Sequence, residues 1–451
     1  MLSERPNFCF DAGLEKRFVL TLTNPIGITV RSVFVRFPLN KESVTFNWAP
    51  LYHDLGLMYG PFCAPFAKKA IFISTLSFVA NPILIPELLT HHGIGGANYW
   101  ILNDFAMLHT MRYVRKQKID LSKFDYSSLL CHGIGGDVIL ASTYVSYLAS
   151  VLDGGLSPSS LVSTWGQAEM TCGVSVPPPA KMKRSTLLCV EKDNLAKGKV
   201  VILKKYQYTK GKKLQEREDG VWLVSAGVPL FGVEIMVVDS KNMTRCEDGT
   251  VGELWARGAA ACAGYFDNEE ATEETFHARI AQKDILVEVQ DSKKWEDEDE
   301  YWVRSGDLGF QHEGEFFVLC RTKEVLVIEG KTFRPGDIEE CAQAASNVVR
   351  KGKTLAVSIT GDEAENAREE MKKKNEPADG AVGNICDGQQ ITILAEVRPW
   401  KEVIAENAKL KNMSKSEVYR DVCRAIKDSV LSSFGVSVQV VVLVKVFNTI
   451  G

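Results

Sequence analysis

No uninterrupted apolar stretch in the 451-residue sequence reaches the roughly 18 residues a membrane-spanning helix needs. The opening residues, MLSERPNFCFDAG, lack the basic region and apolar core of a secretory signal. Neither charge sign is in large excess: the formal net charge is -4, which excludes the basic field that gathers nucleic acid. The eleven cysteines include no C-x-x-C pair and are odd in number, which argues against a disulfide framework or a structural zinc site. Internal repeats are also missing. Reduced thiols, a cytoplasmic location, no nucleic-acid partner and no transmembrane segment are therefore expected.

What is present is ordinary globular composition, 45% hydrophobic and 24% charged, in a chain long enough for two or three domains. Short apolar runs within 44–60, 71–74 and 128–140 end in Gly, His or Asp and read as buried strands feeding loops. Helical spacing over 82–89 and 102–114 lies between them, so the first part is an α/β domain. After three successive prolines, Pro177 to Pro179, a Lys-rich and weakly patterned segment to Gly220 reads as an excursion from the core. A β-rich part follows, with strands expected over 254–257, at 302–303 and over 316–319, and with a solvated acidic loop at 295–300. Beyond Lys323 a smaller unit begins, with strands expected over 355–359, 391–397 and 436–446. It also has a helix over 415–431 whose Val418, Val422, Ile426 and Val430 share one face, started by a Ser414/Glu417 capping box. The charged run 363–380 reads as an exposed insertion.

Four constellations carry chemistry. In YWVRSGDLGF, at 301–310, Gly306-Asp307 ends an apolar strand. An exposed carboxylate there can accept two hydrogen bonds from a vicinal diol such as ribose, and Arg321 follows across one hairpin. In STWGQAEMT, at 163–171, an adenine can stack on Trp165 with its edge at the Gly166 backbone, and Glu169 can hold a divalent cation against phosphate oxygens. A tryptophan beside glycine is more often packing. Gly135-Gly136-Asp137 forms a tight loop that lets backbone approach a base. In WAPLYHDLGLMYG, at 48–60, His53 and Asp54 sit past a strand, either as plain capping residues or as a wall of a substrate tunnel. The stretch 249–276 reads as structural.

In this order and spacing the segments GELWARG, GYFDNEEATEETF, YWVRSGDLGF and the run ending RPGDIEE resemble the adenylate-forming superfamily, most closely its fatty acyl-AMP ligases, from about Phe18 to Val446. The resemblance implies the α/β adenylate-forming fold. Residues 1–322 would be a large adenylation domain, incomplete at its N-terminus and carrying a β-rich subdomain, and 323–451 a small, mobile C-terminal α/β domain. It implies ATP and Mg2+ as cofactors, a fatty acid as substrate and an acyl carrier protein as acceptor. Trp165, Gly166, Gly136 and Asp137 would line the adenine site, Asp307 and Arg321 would bind ribose, and Glu169 would be catalytic through magnesium. Lys323 would be the hinge, and His53 matches the family's YHD motif beside the acyl tunnel. The segment TLLCVEKDNLAKGKV resembles the insertion that separates these ligases from acyl-CoA synthetases, which implies an adenylate rather than a thioester as product.

Two departures stand beside the resemblance. The phosphate loop corresponds to 20–35, where Thr23 and Thr29 match, but Arg31 replaces the family's lysine, Ser32 replaces a glycine and Pro25 removes a donor. The sequence as given ends without the family's Ser-Gly-Lys motif, and its catalytic lysine, and begins almost at the phosphate loop, so a fragment of a longer protein is expected. Three readings stay open: an acyl-adenylate-forming enzyme, a non-catalytic module of the same fold, and, less favoured because of the insertion, an acyl-CoA synthetase.

Overall fold

The computed structural model describes residues 8–11, 18–21, 41–91, 98–177, 185–206, 214, 219–281, 301–328, 331–359, 390–407 and 413–445. Thr23, Pro25, Thr29, Arg31 and Ser32 lie outside them, as do the acidic tract 295–300 and the charged run 363–380. The chain divides into two compact units, residues 1–192 with 198–319, and residues 193–197 with 320–451.

The larger unit is built on a five-stranded parallel sheet in the spatial order Lys69–Phe72, Val44–Asn47, Asn98–Leu102, Leu129–Ile134 and Leu161–Ser163. In chain order this is 2-1-3-4-5, so the winding direction reverses between the first and third strands, and ligands of such sheets bind outside the carboxyl ends near that point. The strands are short apolar runs because both faces are covered. Trp100, Leu102 and Ile134 are buried with Ala106, Met107 and Val114 of the helix Asp104–Gln117 and with Tyr144, Leu148 and Val151 of the helix Ala141–Val151.

The β-rich part is an antiparallel sheet in the order Thr244–Arg245, Val233–Asp239, Gly252–Gly258, Val303–His312 and Glu315–Arg321. Each expected strand is present and longer than its apolar centre, because pairing carries it through flanking polar residues. Much of the described part of the segment expected to leave the core stays with the larger unit. It forms a three-stranded sheet, Ile202–Tyr206, Leu187–Glu191 and Gly220–Val224, whose central strand is buried, and Leu187 joins the core of the parallel sheet.

In the smaller unit Val349–Ile359 pairs antiparallel with Gln390–Val397, which pairs parallel with Val438–Lys445. Val418, Val422, Ile426 and Val430 of the helix Lys415–Phe434 are buried with Ile391, Ile393 and Ala395, and the Ser414/Glu417 capping box is formed at its start. The helix ends at Gly435, whose φ of 68° is the left-handed closing conformation. Residues 193–197 belong to this unit: the Thr332 N–H donates to the Ala196 carbonyl at 2.8 Å, and Ala196 is buried in its core.

Candidate functional site

The loops that leave the carboxyl ends of the parallel strands carry three of the four expected site segments. After Val44–Asn47 the chain turns through Trp48 to His53, which caps the short helix Asp54–Leu57 by accepting from the Leu55 N–H at 3.2 Å. His53 Nδ1 lies 2.6 Å from Asp54 Oδ1, with the imidazole half-exposed and the carboxylate buried. That helix passes into a π-helical segment, Met58–Phe62, a rare geometry concentrated at functional sites. Asn47 ties the loop down, donating to the Gly56 carbonyl at 2.9 Å and accepting from the Ala49 N–H at 3.1 Å. Burial holds the nearby Tyr59 phenol and Cys172 thiol protonated, their pKa values raised well above the ordinary, and pushes the Cys63 thiol up to about 12.

After Leu129–Ile134 come Gly135, Gly136 and Asp137, with Gly136 at φ 81° and Asp137 exposed. Asp104, buried at the head of the adjoining helix, accepts from the Leu140 N–H at 3.0 Å and anchors the far side of this loop. After Leu161–Ser163 comes the strand Trp165–Gln167, which pairs with Cys172–Val176. A Cβ on Gly166 would lie 1.7 Å from the Cys172 carbonyl oxygen, so no larger residue fits. Thr171 and Cys172 are consecutive non-glycine residues at positive φ, 52° and 86°, strain of the kind that gathers at functional sites.

Asp307 departs from its expected placing. It is neither at a strand end nor exposed: it lies inside Val303–His312 and is 5% exposed. The register against Gly252–Gly258 shifts there, so that Glu253 faces Leu308 while Trp255 faces Arg304. This bulge re-aims the residues between. Gly306 takes φ 68° and donates its N–H to Glu253 Oε1 at 3.2 Å, and the Asp307 N–H donates to Ser305 Oγ at 2.9 Å. Glu253, itself buried, also holds Arg304 at 2.9 Å. The Trp165 indole N–H donates to Asp307 Oδ2 at 2.7 Å, which joins two expected site residues 142 positions apart. Trp165 is buried, so its indole serves packing and carboxylate positioning together.

Glu169 follows in a single 3₁₀ turn, Ala168–Met170, and accepts from the Tyr265 hydroxyl at 2.6 Å. The turn is clasped by residues 260–262: the Cys262 N–H donates to the Glu169 carbonyl at 2.8 Å and Thr171 Oγ1 to the Ala260 carbonyl at 2.8 Å. Gly264–Tyr265 also pairs with Phe18–Thr21, a strand that overlaps the start of the expected phosphate loop. Among the described residues no group of three or more His, Cys, Asp or Glu is gathered to hold a metal. A lone carboxylate nevertheless fits a magnesium ion that takes its other ligands from phosphates and water. Arg321 and Lys323 are exposed and belong to the smaller unit, whereas Asp307 belongs to the larger.

Glu253, Tyr265 and Asp104 are the positioning residues that sequence reasoning passes over. GELWARG and GYF are visible motifs, but only pairing across the fold shows what Glu253 and Tyr265 hold.

A parallel sheet with this winding, loops converging at its carboxyl edge and two oriented carboxylates define the adenylate-forming fold. The profile of the AMP-binding enzyme family matches residues 13–266, more than half of the chain, and the chain belongs to that family. It is similar to a medium-chain fatty acid acyl-carrier-protein ligase of Moorena producens, 25% identical over 391 residues, which are 85% of this chain and 61% of that protein. It is also similar to a long-chain fatty acid AMP ligase of Mycobacterium marinum, 27% identical over 354 residues, 77% of this chain and 54% of that one. The chain thus spans between half and two thirds of these curated relatives. A solved structure from a study of fatty acyl-adenylate ligases of E. coli and L. pneumophila superposes with TM-score 0.71 at 18% identity. The match covers 99% of this chain and 68% of that one, and it shows the shared fold.

Proposed function

We propose that this chain activates a fatty acid with ATP, a carboxylate oxygen bonding to the α-phosphorus as the bond to the departing pyrophosphate breaks. The observation that carries the reading is the pair of oriented carboxylates, Asp307 held by Trp165 and Glu169 held by Tyr265. Asp307 then receives the ribose hydroxyls, with Arg321 as its partner in binding, and Gly136, Asp137, Trp165 and Gly166 form the adenine site. Glu169 would hold Mg2+, which supplies charge neutralisation to the phosphates. Thr23, Thr29 and Arg31 contact the phosphates, and a guanidinium at Arg31 suits a bidentate phosphate contact. His53 borders the acyl chain. Residues 1–322 act as the adenylation domain and 323–451 as the C-terminal domain, hinged at Lys323, with an acyl carrier protein as acceptor. The burial of Ala196 in the core of the smaller unit supports an adenylate product over a thioester.

The test is pyrophosphate exchange into ATP by the purified chain with medium- and long-chain fatty acids and magnesium. Acid-dependent exchange is expected, and its disappearance in Asp307→Ala. Binding of a non-hydrolysable acyl-adenylate mimic without exchange for any acid would instead select a non-catalytic module, which the Arg31 and Ser32 replacements favour.

A further inference from the structure

Gln167 is buried, 6% exposed, and neither its amide nitrogen nor its amide oxygen has a hydrogen-bond partner. Among the described residues it is the only side chain with a separate donor atom and acceptor atom both bare. Buried polar groups are almost always paired, so a bare amide calls for a ligand or an ordered water.

Its position says what that ligand is. Gln167 lies on the strand between Trp165, whose indole holds Asp307, and Glu169. Its register partner is Cys172, and cross-strand partners share one face of a sheet. Cys172 packs with Met58 and, behind it, Leu55, Tyr59 and Phe62, the segment that follows His53. The amide therefore sits where the wall assigned to the acyl chain meets the residues assigned to the phosphates. Of the side chains in that cluster only the Tyr59 hydroxyl and the Cys172 thiol can donate a hydrogen bond, and neither reaches the amide. An unsubstituted alkyl chain entering there leaves both amide atoms bare, whereas one hydroxyl group, donor and acceptor at once, can satisfy both. Glu169 lies two positions after Gln167, at most about 7 Å of chain, which places the group within the first few carbons of the carboxyl end.

We infer that Gln167 is a specificity-determining residue that selects a fatty acid bearing a hydroxyl group close to its carboxyl. This rests on the acyl-adenylate reading above.

Titration calorimetry of the full chain with non-hydrolysable sulfamoyl mimics of dodecanoyl-, α-hydroxydodecanoyl- and β-hydroxydodecanoyl-adenylate tests it. One hydroxylated mimic is expected to bind roughly tenfold or more tightly than the plain one, since a site built to pair a hydroxyl rejects the analogue that lacks it. Gln167→Leu, of similar size and free of the bare amide, is expected to erase that preference while raising the urea midpoint. Equal affinity for all three mimics in the native chain overturns the inference and means that water fills the amide. A preference that survives in Gln167→Leu overturns it as well. If no mimic binds, the acyl-adenylate reading fails, and the inference with it. The native-chain comparison decides even if the variant does not fold.

Discussion

At the bulge of the antiparallel sheet, Asp307 is buried, its N–H is bound by Ser305, one carboxylate oxygen is bound by Trp165, and the neighbouring Gly306 is pinned by Glu253. On the loops of the parallel sheet His53 is half-exposed and accepts from the Leu55 N–H, and Asp137 is exposed and accepts from the Val138 N–H. The first arrangement fixes a carboxylate before a ligand arrives, so its energy of placement is already spent in folding. The second leaves groups whose positions a ligand completes. One site thus contains a preorganised half, where mutation should be felt as stability, and an adaptable half, where it should be felt as binding.

The largest expected effect tests the preorganised half at its tightest point. Gly166→Ala sets a methyl group 1.7 Å from a carbonyl oxygen of the paired strand, and backbone cannot yield as a side-chain tip can. A loss of at least about 3 kcal/mol is expected from the urea midpoint. A midpoint unchanged from the native chain would mean that this strand pair is not rigid. Next is Glu253→Ala, which strips Arg304 and the Gly306 N–H of their buried partner. Removing one member of a buried pair costs about 3 kcal/mol or more, and the partly exposed Arg304 puts this case at the lower end. Affinity for an acyl-adenylate mimic should fall with it, because the bulge aims Asp307. Retained stability with normal binding would show that Glu253 does not set the bulge.

How legible these halves are in the sequence follows the same division. Periodicity reveals elements that pack by local pattern: the Val418/Val422/Ile426/Val430 face and its capping box stand where spacing puts them. The loop residues are legible too, because His53, Gly136 and Asp137 each sit just past an apolar run. What stays hidden depends on distant partners. Gly306-Asp307 reads as a strand end because glycine and aspartate usually break strands, but pairing with Glu253, more than fifty residues away, carries the strand through as a bulge. Tyr265 meets Glu169 across 96 positions. The strand Ile202–Tyr206 has two lysines and no clean alternation, so only its pairing with Leu187–Glu191 makes it a strand.

A smaller effect comes from the sheet beneath both halves. His132 is fully buried, its Nε2 is 2.9 Å from the Tyr147 hydroxyl and its ring stacks on Trp100, and burial lowers its pKa from 6.5 to about 3. The unfolded chain takes up a proton near 6.5 and the folded chain only near 3, so between those values protons favour unfolding. The stability this group contributes is complete above 6.5 and declines as pH falls below it. Its neighbours Tyr147 and Cys131 have pKa values raised by burial and stay neutral throughout, so they add no opposing slope. Lowering the pH from about 7.5 to about 5.5 should remove roughly 1 kcal/mol, and His132→Gln should flatten that part of the profile. An unchanged slope in the variant would place the pH dependence elsewhere.

The smallest expected change in stability comes from the adaptable half. His53→Ala removes a half-exposed imidazole that accepts from the Leu55 N–H and lies beside the Asp54 carboxylate, both in its own loop. Asp54 Oδ1 already accepts from the same Leu55 N–H at 2.6 Å, so the capping bond survives the substitution. The melting temperature should therefore stay within the shift that about 0.5 kcal/mol produces. Affinity for a long-chain acyl-adenylate mimic, measured on the same preparation, should drop several-fold while affinity for AMP alone holds, if His53 borders the acyl chain as proposed. A variant that lost as much stability as Glu253→Ala would erase the distinction between the halves. One that lost AMP and acyl-adenylate affinity equally would move His53 from the acyl wall to the nucleotide pocket.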